Sequence, residues 1–383
     1  MKVKLKDICE VKNGYAFKSD NYTNSGIRVI RITNVQKGFV DDEHPEFYPL
    51  SCSDELNDYM LQENDLLLSL TGNVGRVALL NKEFLPAALN QRVACLRTNN
   101  KKILNKYLFY YLLSKNFEND CIKYSKGIAQ KNMSTEWLKE YELDIVSIND
   151  QNSIICIFDK LYIVINKYKI QLNHLDTLIK ARFVDMFGDI KKSDGIRSVK
   201  LGSICETVSG GTPSTKENDY YGGDIPWIST VALGEIFIGK EKAKDFITEK
   251  ALRESATHLI PKDSIMVGTR VGVGKCSINS CDMCTNQDIN SLINIDESNF
   301  NKVFLKFAID EYCDYFNTIK KGATILGITT EDLKSINIPM VSLELQDKYV
   351  CFVRYIYKLK FDVQKSLEKT QMLFDSLMQQ YFV

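Results

Sequence analysis

Long apolar runs are absent from this sequence. No stretch approaches the roughly 20 apolar residues that a membrane-spanning helix requires, although 44% of the residues are hydrophobic. The first six residues, MKVKLK, carry charge but no apolar core follows them, so we expect no secretory signal. The sequence therefore favours a protein of the cytoplasm that makes no membrane contact.

Histidine is scarce, and the strong catalytic motifs are missing. None of the three histidines has a partner at metal-ligand spacing: His44, His174 and His258. Residues 268–276, GTRVGVGKC, fail the phosphate-loop spacing because Thr269 stands where the first glycine belongs and Cys276 follows the lysine. There is no nucleophile elbow, no zinc-protease helix and no Asn-Pro-Pro-aromatic segment. These absences remove the strong signals of catalysis, but a catalytic site can also be assembled from residues that are distant in the sequence.

A disulfide framework and a metal centre are also not expected. The eleven cysteines are odd in number and widely spread, which is typical of reduced thiols. Cys276, Cys281 and Cys284 come closest to a cluster, but a zinc site requires a fourth ligand and usually a second close pair.

The formal net charge is zero, since 49 Lys and Arg balance 49 Asp and Glu. An indiscriminate nucleic-acid binder is usually basic, so this balance argues against one. Lys and Arg are nevertheless concentrated in residues 1–40, whereas residues 41–65 contain Asp and Glu without Lys or Arg. Such asymmetry allows a basic face on a neutral protein.

The chain contains a long internal repeat. Residues 5–10, LKDICE, are similar to residues 201–206, LGSICE; residues 65–76 are similar to residues 263–275; and Asn90-Gln91 is matched by Asn286-Gln287. The offset of about 195–199 residues is far longer than a solenoid repeat and indicates a duplicated domain. Two similar units in one chain can read two sites on a linear partner.

Each half combines a mixed region with a long helical region. Short β-branched runs separated by Gly, Asn and Pro predict strands, and residues 103–117 and 303–316 predict helices. Residues 150–187 and the C-terminal region then show apolar residues at alternating steps of four and three, the heptad pattern of a coiled coil. The predicted interface residues are Ile154, Phe158, Leu161, Ile165, Leu172, Leu175 and Ile179, with Phe352, Ile356, Leu359, Val363 and, after a phase shift, Leu377.

We expect the two helices to bury these apolar stripes against each other, antiparallel and with pseudo-two-fold symmetry. The alternative is that each helix packs on its own domain. The predicted fold class is α+β, with two similar domains and two long helices.

The ordered motifs resemble those of the specificity subunit of type I restriction-modification enzymes, over the whole chain. They are the Leu-x-x-Ile-Cys-Glu opening, residues 209–214 (SGGTPS), an Asp-led strand before a Gly-x-x-Gly-Arg/Lys turn, and the Asn-Gln pair. A late Gly segment (126–130 and 321–325) and a Gln at each helix start, Gln151 and Gln346, complete the set. The first unit departs at residues 144–147, where an Ile-Pro is usual, and its acidic residues 40–53 align poorly.

The resemblance implies four segments: target recognition domain 1 (1–148), a first conserved spacer helix (149–190), target recognition domain 2 (191–343) and a second spacer helix (344–383). Each recognition domain would read one half of a split site on double-stranded DNA. Two methyltransferase subunits, which carry the S-adenosylmethionine, would dock on the helices, and restriction and translocase subunits would join them. The chain itself would hold no cofactor and no metal and would be non-catalytic.

Polar residues of the turns, the Asn-Gln pairs and the late Gly segments have the chemistry for phosphate and base contacts. The predicted DNA-binding residues are Thr71, Asn73, Arg76, Asn90, Gln91, Lys126, Gln130, Lys131 and Asn132 in the first half, and Thr269, Arg270, Lys275, Asn286, Gln287, Lys320, Lys321 and Thr324 in the second. For each, the alternative is an ordinary polar surface turn.

Three other functions stay open from the sequence. The chain could be a structural scaffold with two α+β modules on a coiled coil and no DNA. It could be a nuclease with scattered acidic residues. It could also be a specificity subunit of a modification system without restriction.

Overall fold

The computed structural model describes residues 1–98, 101–125, 132–192, 197–322 and 326–382. The chain forms two compact units: unit 1 is Met1–Ile170 with Gln364–Val383, and unit 2 is Gln171–Val363. Each unit therefore contains one α+β domain and part of both long helices.

Within the residues that the structure describes, unit 1 contains nine strands, four short helices and the start of the first long helix. In chain order they are β1 (Lys2–Lys4), α1 (Leu5–Ile8), β2 (Cys9–Asn13), β3 (Ile27–Ile30), β4 (Phe47–Tyr48), β5 (Leu66–Ser69), β6 (Val77–Leu79), β7 (Ala87–Leu89), β8 (Val93–Thr98), α2 (Asn105–Leu113), α3 (Lys115–Tyr124), α4 (Thr135–Glu140), β9 (Glu142–Asp144) and α5 (Ile148–Phe187).

The main sheet of unit 1 is antiparallel, in the order β2-β8-β5-β6. A second sheet, β4-β3-β7, pairs β3 with β7 in parallel, and β1 pairs with β9. Strand β5 is buried on both faces: Leu66 and Leu68 pack with the helices, whereas Leu67 packs with the second sheet. This explains why residues 66–68 are continuously apolar instead of alternating.

The helix predicted over residues 103–117 is two helices in the structure. Helix α2 ends before Ser114, whose side chain accepts a hydrogen bond from the Phe117 N–H and caps α3. Serine is a preferred N-cap because its oxygen satisfies an otherwise unpaired backbone N–H. The single-helix prediction was therefore wrong at this residue.

Among the described residues, unit 2 repeats this strand order with two additional strands and one additional short helix, and a 3-10 helix (Leu201–Ser203) takes the place of α1. Its elements are β10 (Ser198–Lys200), β11 (Glu206–Ser209), β12 (Tyr221–Ile228), β13 (Phe237–Ile238), β14 (Asp245–Ile247), α6 (Glu249–Glu254), β15 (Leu259–Ile260), β16 (Ile265–Gly268), β17 (Cys276–Asn279), β18 (Met283–Thr285), β19 (Ile289–Ile293), α7 (Lys302–Asp310), α8 (Cys313–Ile319), α9 (Thr330–Lys334), β20 (Asn337–Pro339) and α10 (Leu343–Tyr381).

The sheets of unit 2 confirm the duplication. The order β11-β19-β16-β17 matches β2-β8-β5-β6, and β13 adds a fifth strand at the edge. The second sheet is β14-β12-β18-β15, and β10 pairs with β20 as β1 pairs with β9. The helix predicted over residues 303–316 is again divided, into α7 and α8.

The glutamine at the start of each long helix fixes that helix to its own domain. Gln151 is fully buried; its Oε1 accepts from the Leu104 N–H at 2.9 Å, and its Nε2 donates to the carbonyls of Lys102 and Val146. Gln346 makes the same three bonds, to Asn301, Asn299 and Val341. The motif glutamines thus satisfy backbone groups that would otherwise be buried without partners.

The long helices contact each other within each unit. In unit 1, the ring centroid of Phe158 in α5 lies 5.2 Å from the ring centroid of Phe374 in α10. Phe158 also packs on Tyr110 of the domain. In unit 2, Phe183 packs on Tyr349, and Lys360 pairs with Asp176. Because higher numbers in α5 meet lower numbers in α10, the pair is antiparallel in unit 2. Both predicted packing modes, helix on helix and helix on domain, therefore occur.

The predicted apolar stripe is correct for α5 and off-centre at the start of α10. Among the predicted stripe residues, Ile154, Phe158, Ile165, Ile179 and Ile356 are buried and the others are partly buried. At the start of α10 the fully buried apolar residues are Tyr349 and Val353, whereas Phe352 and Leu359 flank them. The register differs because the start of α10 also packs against its own α+β domain, which a two-helix heptad does not represent.

Candidate nucleic-acid interface

Three segments that are distant in the sequence of unit 1 meet at one end of the main sheet. The Leu70 N–H, just after β5, donates to the Arg92 carbonyl at 2.9 Å, and the Met133 N–H donates to the Leu70 carbonyl at 2.9 Å. Thr71 forms a β-bridge with Asn132. The turn (70–76), the Asn-Gln segment (90–92) and the residues after the late Gly segment (132–133) therefore form one surface.

Unit 2 brings the equivalent three segments together. The Thr269 N–H donates to the Asp288 carbonyl, and the Ile328 N–H donates to the Thr269 carbonyl, both at 2.8 Å. Lys321 and Gly327 are joined by two backbone hydrogen bonds. The turn (269–275), the Asn-Gln segment (286–288) and the described residues beside the late Gly segment (320–322 and 326–328) correspond to the three segments of unit 1. We call the three segments of each unit its convergent surface.

The Asn-Gln motif combines a buried and an exposed residue. Asn90 and Asn286 are only 8% and 9% exposed, and the backbone of Gly14 or Gly210 lies directly against the asparagine backbone. Both asparagine side chains are thus largely buried in this structure, and their role at the DNA stays a prediction. Gln91 and Gln287 are exposed, and Thr212 Oγ1 donates to Gln287 Oε1.

The other predicted DNA-binding residues differ in accessibility. Thr269 is 4% exposed and its hydroxyl donates to the Asp288 carbonyl, and its role at the DNA stays a prediction. Arg76, partly buried, donates from Nη1 to Gln36 Oε1 at 2.6 Å. Thr71 and Lys320 are partly buried. The exposed residues are Asn73, Gln91, Asn132, Arg270, Lys275, Gln287 and Lys321. Lys126, Gln130, Lys131 and Thr324 lie outside the described residues.

Two charged residues of the convergent surfaces were missed by the sequence analysis. Arg92 directly follows the Asn-Gln pair of unit 1 and is exposed, and Asp288 holds the same place in unit 2. Their position directly after the Asn-Gln motif could have indicated them. Comparison of the two repeats did not, because the two units carry opposite charges at this position.

The acidic segment of unit 1 neutralises part of its basic N-terminal region. Arg28 pairs with Asp42, and Arg31 Nη1 lies 3.1 Å from Glu46 Oε1 while Arg31 Nη2 donates to the His44 carbonyl. The excess of Lys and Arg in residues 1–40 is therefore not all available to an external anion.

Among the described residues, no group of His, Cys, Asp and Glu is arranged to hold a metal ion. Burial raises the pKa of the Cys284 thiol to about 11, which keeps it protonated and makes it a poor metal ligand. Within the same ranges, no helix is long and apolar enough to cross a membrane.

Comparison with known sequences identifies the family. The family model for the type I restriction modification DNA specificity domain matches residues 1–174 and again residues 194–370. The MjaIX specificity subunit of Methanocaldococcus jannaschii is 29% identical over 197 residues, 51% of this chain and 45% of that protein. The Escherichia coli EcoAI specificity subunit is 31% identical over 170 residues, 43% of this chain and 29% of that protein. The matched regions thus span less than half of these two relatives.

Longer matches are more distant. The putative MjaX specificity subunit of Methanocaldococcus jannaschii is 25% identical over 373 residues, 89% of this chain and 83% of that protein. The solved type I restriction-modification S subunit from M. genitalium has a TM-score of 0.54 at 16% identity, covering 99% of this chain and 94% of that one. A structure from work on assembly and conformational transition of the type I R-M system has a TM-score of 0.61 at 15% identity, covering 100% and 97%.

The two structural matches support the fold, and the double match of the family model covers most of the sequence. This chain therefore belongs to the family defined by the type I restriction modification DNA specificity domain, and it contains that domain twice.

Proposed function

We propose that this chain is the DNA specificity subunit of a type I restriction-modification system, and that it recognises a bipartite site on double-stranded DNA. One observation carries the proposal: the same convergent surface is built twice, once within each matched domain. Each surface exposes amide or cationic side chains, Gln91 and Asn132 in unit 1 and Gln287, Arg270 and Lys321 in unit 2. These groups supply the base-edge and phosphate contacts that sequence-specific binding needs.

The neutral charge fits a subunit that does not hold DNA alone. Most of the nonspecific affinity for DNA comes from phosphate neutralisation by Lys and Arg. A chain with 49 cationic and 49 anionic residues supplies little of this affinity as a whole. We infer that partner subunits provide much of the affinity for DNA, while the convergent surfaces select the sequence.

The partners in this proposal are two methyltransferase subunits, which bind S-adenosylmethionine and dock on α5 and α10, and restriction and translocase subunits that act on the same DNA in the cytoplasm. Exposed apolar side chains on the helices support the docking. In unit 1 they are Ile163, Ile170, Met372 and Leu373, and in unit 2 Leu178, Val184, Tyr355 and Phe361. A docked partner subunit would remove these apolar side chains from water. The chain itself is proposed to be non-catalytic and without a cofactor.

Exchanging residues 1–148 for the corresponding domain of a relative with another specificity is expected to change one half of the recognised sequence only. The reason is that unit 1 contains a complete convergent surface. The measurement is methylome sequencing of cells that express the hybrid with the methyltransferase subunits. A change in both halves would contradict the modular proposal, and the reciprocal exchange of residues 191–343 is the matched control.

Deleting one heptad from α5 together with one from α10 is expected to shorten the gap between the half-sites by about three base pairs. Seven helical residues span about 10 Å, and successive base pairs are about 3.4 Å apart. Removing whole heptads keeps the apolar stripes in phase. Methylome sequencing again measures the gap. An unchanged gap with unchanged half-sites would contradict the spacer role of the helices.

A further inference from the structure

The backbone hydrogen bonds of the convergent surfaces define which residues of the two units are equivalent. Leu70 and Thr269 occupy the same place, because each donates to the residue after the Asn-Gln pair and accepts from the third segment. The residues that follow them, Thr71 and Arg270, are therefore equivalent. By the same bonds Arg92 is equivalent to Asp288.

At these equivalent places the arginine comes from opposite segments. In unit 2 the turn supplies Arg270, and its Nη1 lies 3.4 Å from the carboxylate of Asp288 in the Asn-Gln segment. In unit 1 the turn supplies the uncharged Thr71, and the Asn-Gln segment supplies Arg92. The Arg92 guanidinium forms no ion pair and no hydrogen bond with the residues that the structure describes. Of these two neighbouring places, each convergent surface therefore has an arginine at one of them.

We propose that this arginine reads a guanine in each half-site, Arg92 in the half read by unit 1 and Arg270 in the half read by unit 2. We further assign Asp288 as the residue that positions Arg270. This inference rests on the proposed DNA specificity function and names the base-reading residue of each surface.

The geometry of the Arg270 pair favours a base over a phosphate. The Asp288 side chain is 13% exposed whereas that of Arg270 is 49% exposed, so the carboxylate is a fixed element beneath an accessible guanidinium. One Asp288 oxygen accepts from Arg270 Nη1 and the other accepts from Asn286 Nδ2 at 3.3 Å. Among the described residues, the Arg270 guanidinium donates only from Nη1, so most of its five N–H donors are available for the fork that matches guanine O6 and N7. A phosphate at the same point would meet repulsion from the carboxylate.

The neighbouring side chains also have base-reading chemistry. Gln91 precedes Arg92 and Gln287 precedes Asp288, and both amides are exposed. A glutamine amide pairs with adenine in the way that an arginine pairs with guanine. Each surface therefore has the groups to read two adjacent base pairs, one of them through the arginine.

The test uses the full chain in complex with its methyltransferase subunits and a library of duplexes randomised in both half-sites. Methyl transfer and sequencing give the preference at every position. We expect R92Q to lose about tenfold or more of the preference for one guanine in one half-site only. R270Q should have the same effect in the other half-site. R253Q, at an exposed arginine on α6, is the matched control and should change neither half.

A charge exchange tests directly whether the guanine-reading arginine can come from either segment. R92D alone should lose the guanine preference of its half-site, and the double variant T71R/R92D, which copies the arrangement of unit 2, should regain it. D288A should reduce the discrimination for guanine in the other half-site, and D288E should restore part of it. Recovery of a base preference is a result that a general loss of structure cannot produce.

The inference is overturned if R92Q and R270Q weaken all sequences equally and make the salt dependence shallower, because those are the signs of phosphate contacts. It is also overturned if neither variant alters any preference. These outcomes are distinct from failure of the proposed function, in which the unmodified complex would show no bipartite preference.

Discussion

Replacing Asp310 by alanine is expected to destabilise unit 2 by about 3–5 kcal/mol, the typical cost of leaving a buried charge without its partner. Lys306 on α7 is 3% exposed and pairs with Asp310 one turn later. Cys276 Sγ donates to Asp310 Oδ1 at 3.1 Å. Burial opposes the charge of Lys306, but the adjacent carboxylate outweighs it and raises the pKa of this lysine. Without Asp310, Lys306 must either lose its proton or open the core.

Unit 1 shows that this place in the fold does not require charge. The Gln151 and Gln346 contacts make Leu104 equivalent to Asn301, so Phe109 corresponds to Lys306 and Leu113 to Asp310. Strand pairing likewise makes Val77 equivalent to Cys276. The polar groups of Lys306, Asp310 and Cys276 in unit 2 are therefore replaced in unit 1 by the apolar side chains of Phe109, Leu113 and Val77.

The double variant K306M/D310L is therefore expected to be as stable as the natural chain or more stable by about 1–4 kcal/mol, as found when buried ion pairs are replaced by apolar residues of similar volume. Hydrogen exchange of the α7 amides reports the stability of unit 2 separately from unit 1. The matched control is E297A, since Glu297 is 67% exposed and its ion pair with Lys302 should contribute less than about 1 kcal/mol. A double variant as unstable as D310A would show that the pair is needed for the fold.

The sequence was sufficient for the features that repeat. The α+β class, the duplication and the two long helices all leave periodic or repeated patterns, and the structure confirms them. Features that occur at single residues were harder to predict. The break between α2 and α3 depends on one cap, Ser114, and the burial of Tyr349 and Val353 depends on contacts of α10 with its own domain.

The candidate site was predictable in its segments but not in its individual side chains. The turns, the Asn-Gln pairs and the neighbouring polar stretches do converge within each unit. Which residue of a pair is buried depends on long-range packing, so Asn90 and Gln91 could not be distinguished in advance. Arg92 and Asp288 were not predicted, because these equivalent positions carry opposite charges in the two units.

The close packing at each Asn-Gln pair leads to a second large effect. A Cβ atom at Gly14 would lie closer than 3.0 Å to the backbone of Asn90, and one at Gly210 would meet Asn286 and Thr285 in the same way. These neighbours belong to strand ends that carry Gln91 and Gln287, so they cannot move without displacing the convergent surface. Alanine at either glycine is expected to cost about 3 kcal/mol or more, the upper range for overpacking.

The consequence for recognition should be confined to one half-site. We expect Gly14→Ala to weaken reading of the half-site assigned to unit 1 by at least about tenfold, because 1.4 kcal/mol already corresponds to that factor, and Gly210→Ala to do the same for unit 2. Methylation of the randomised duplex library measures both. Gly222→Ala is the control: a Cβ there meets no atom within 4 Å, and only its left-handed backbone, with φ of +81°, is unfavourable, at about 1–2 kcal/mol. Equal effects of Gly222→Ala and Gly210→Ala on the half-site of unit 2 would show that a general loss of stability in unit 2, not the close approach of position 210 to Asn286, weakens the reading of that half-site.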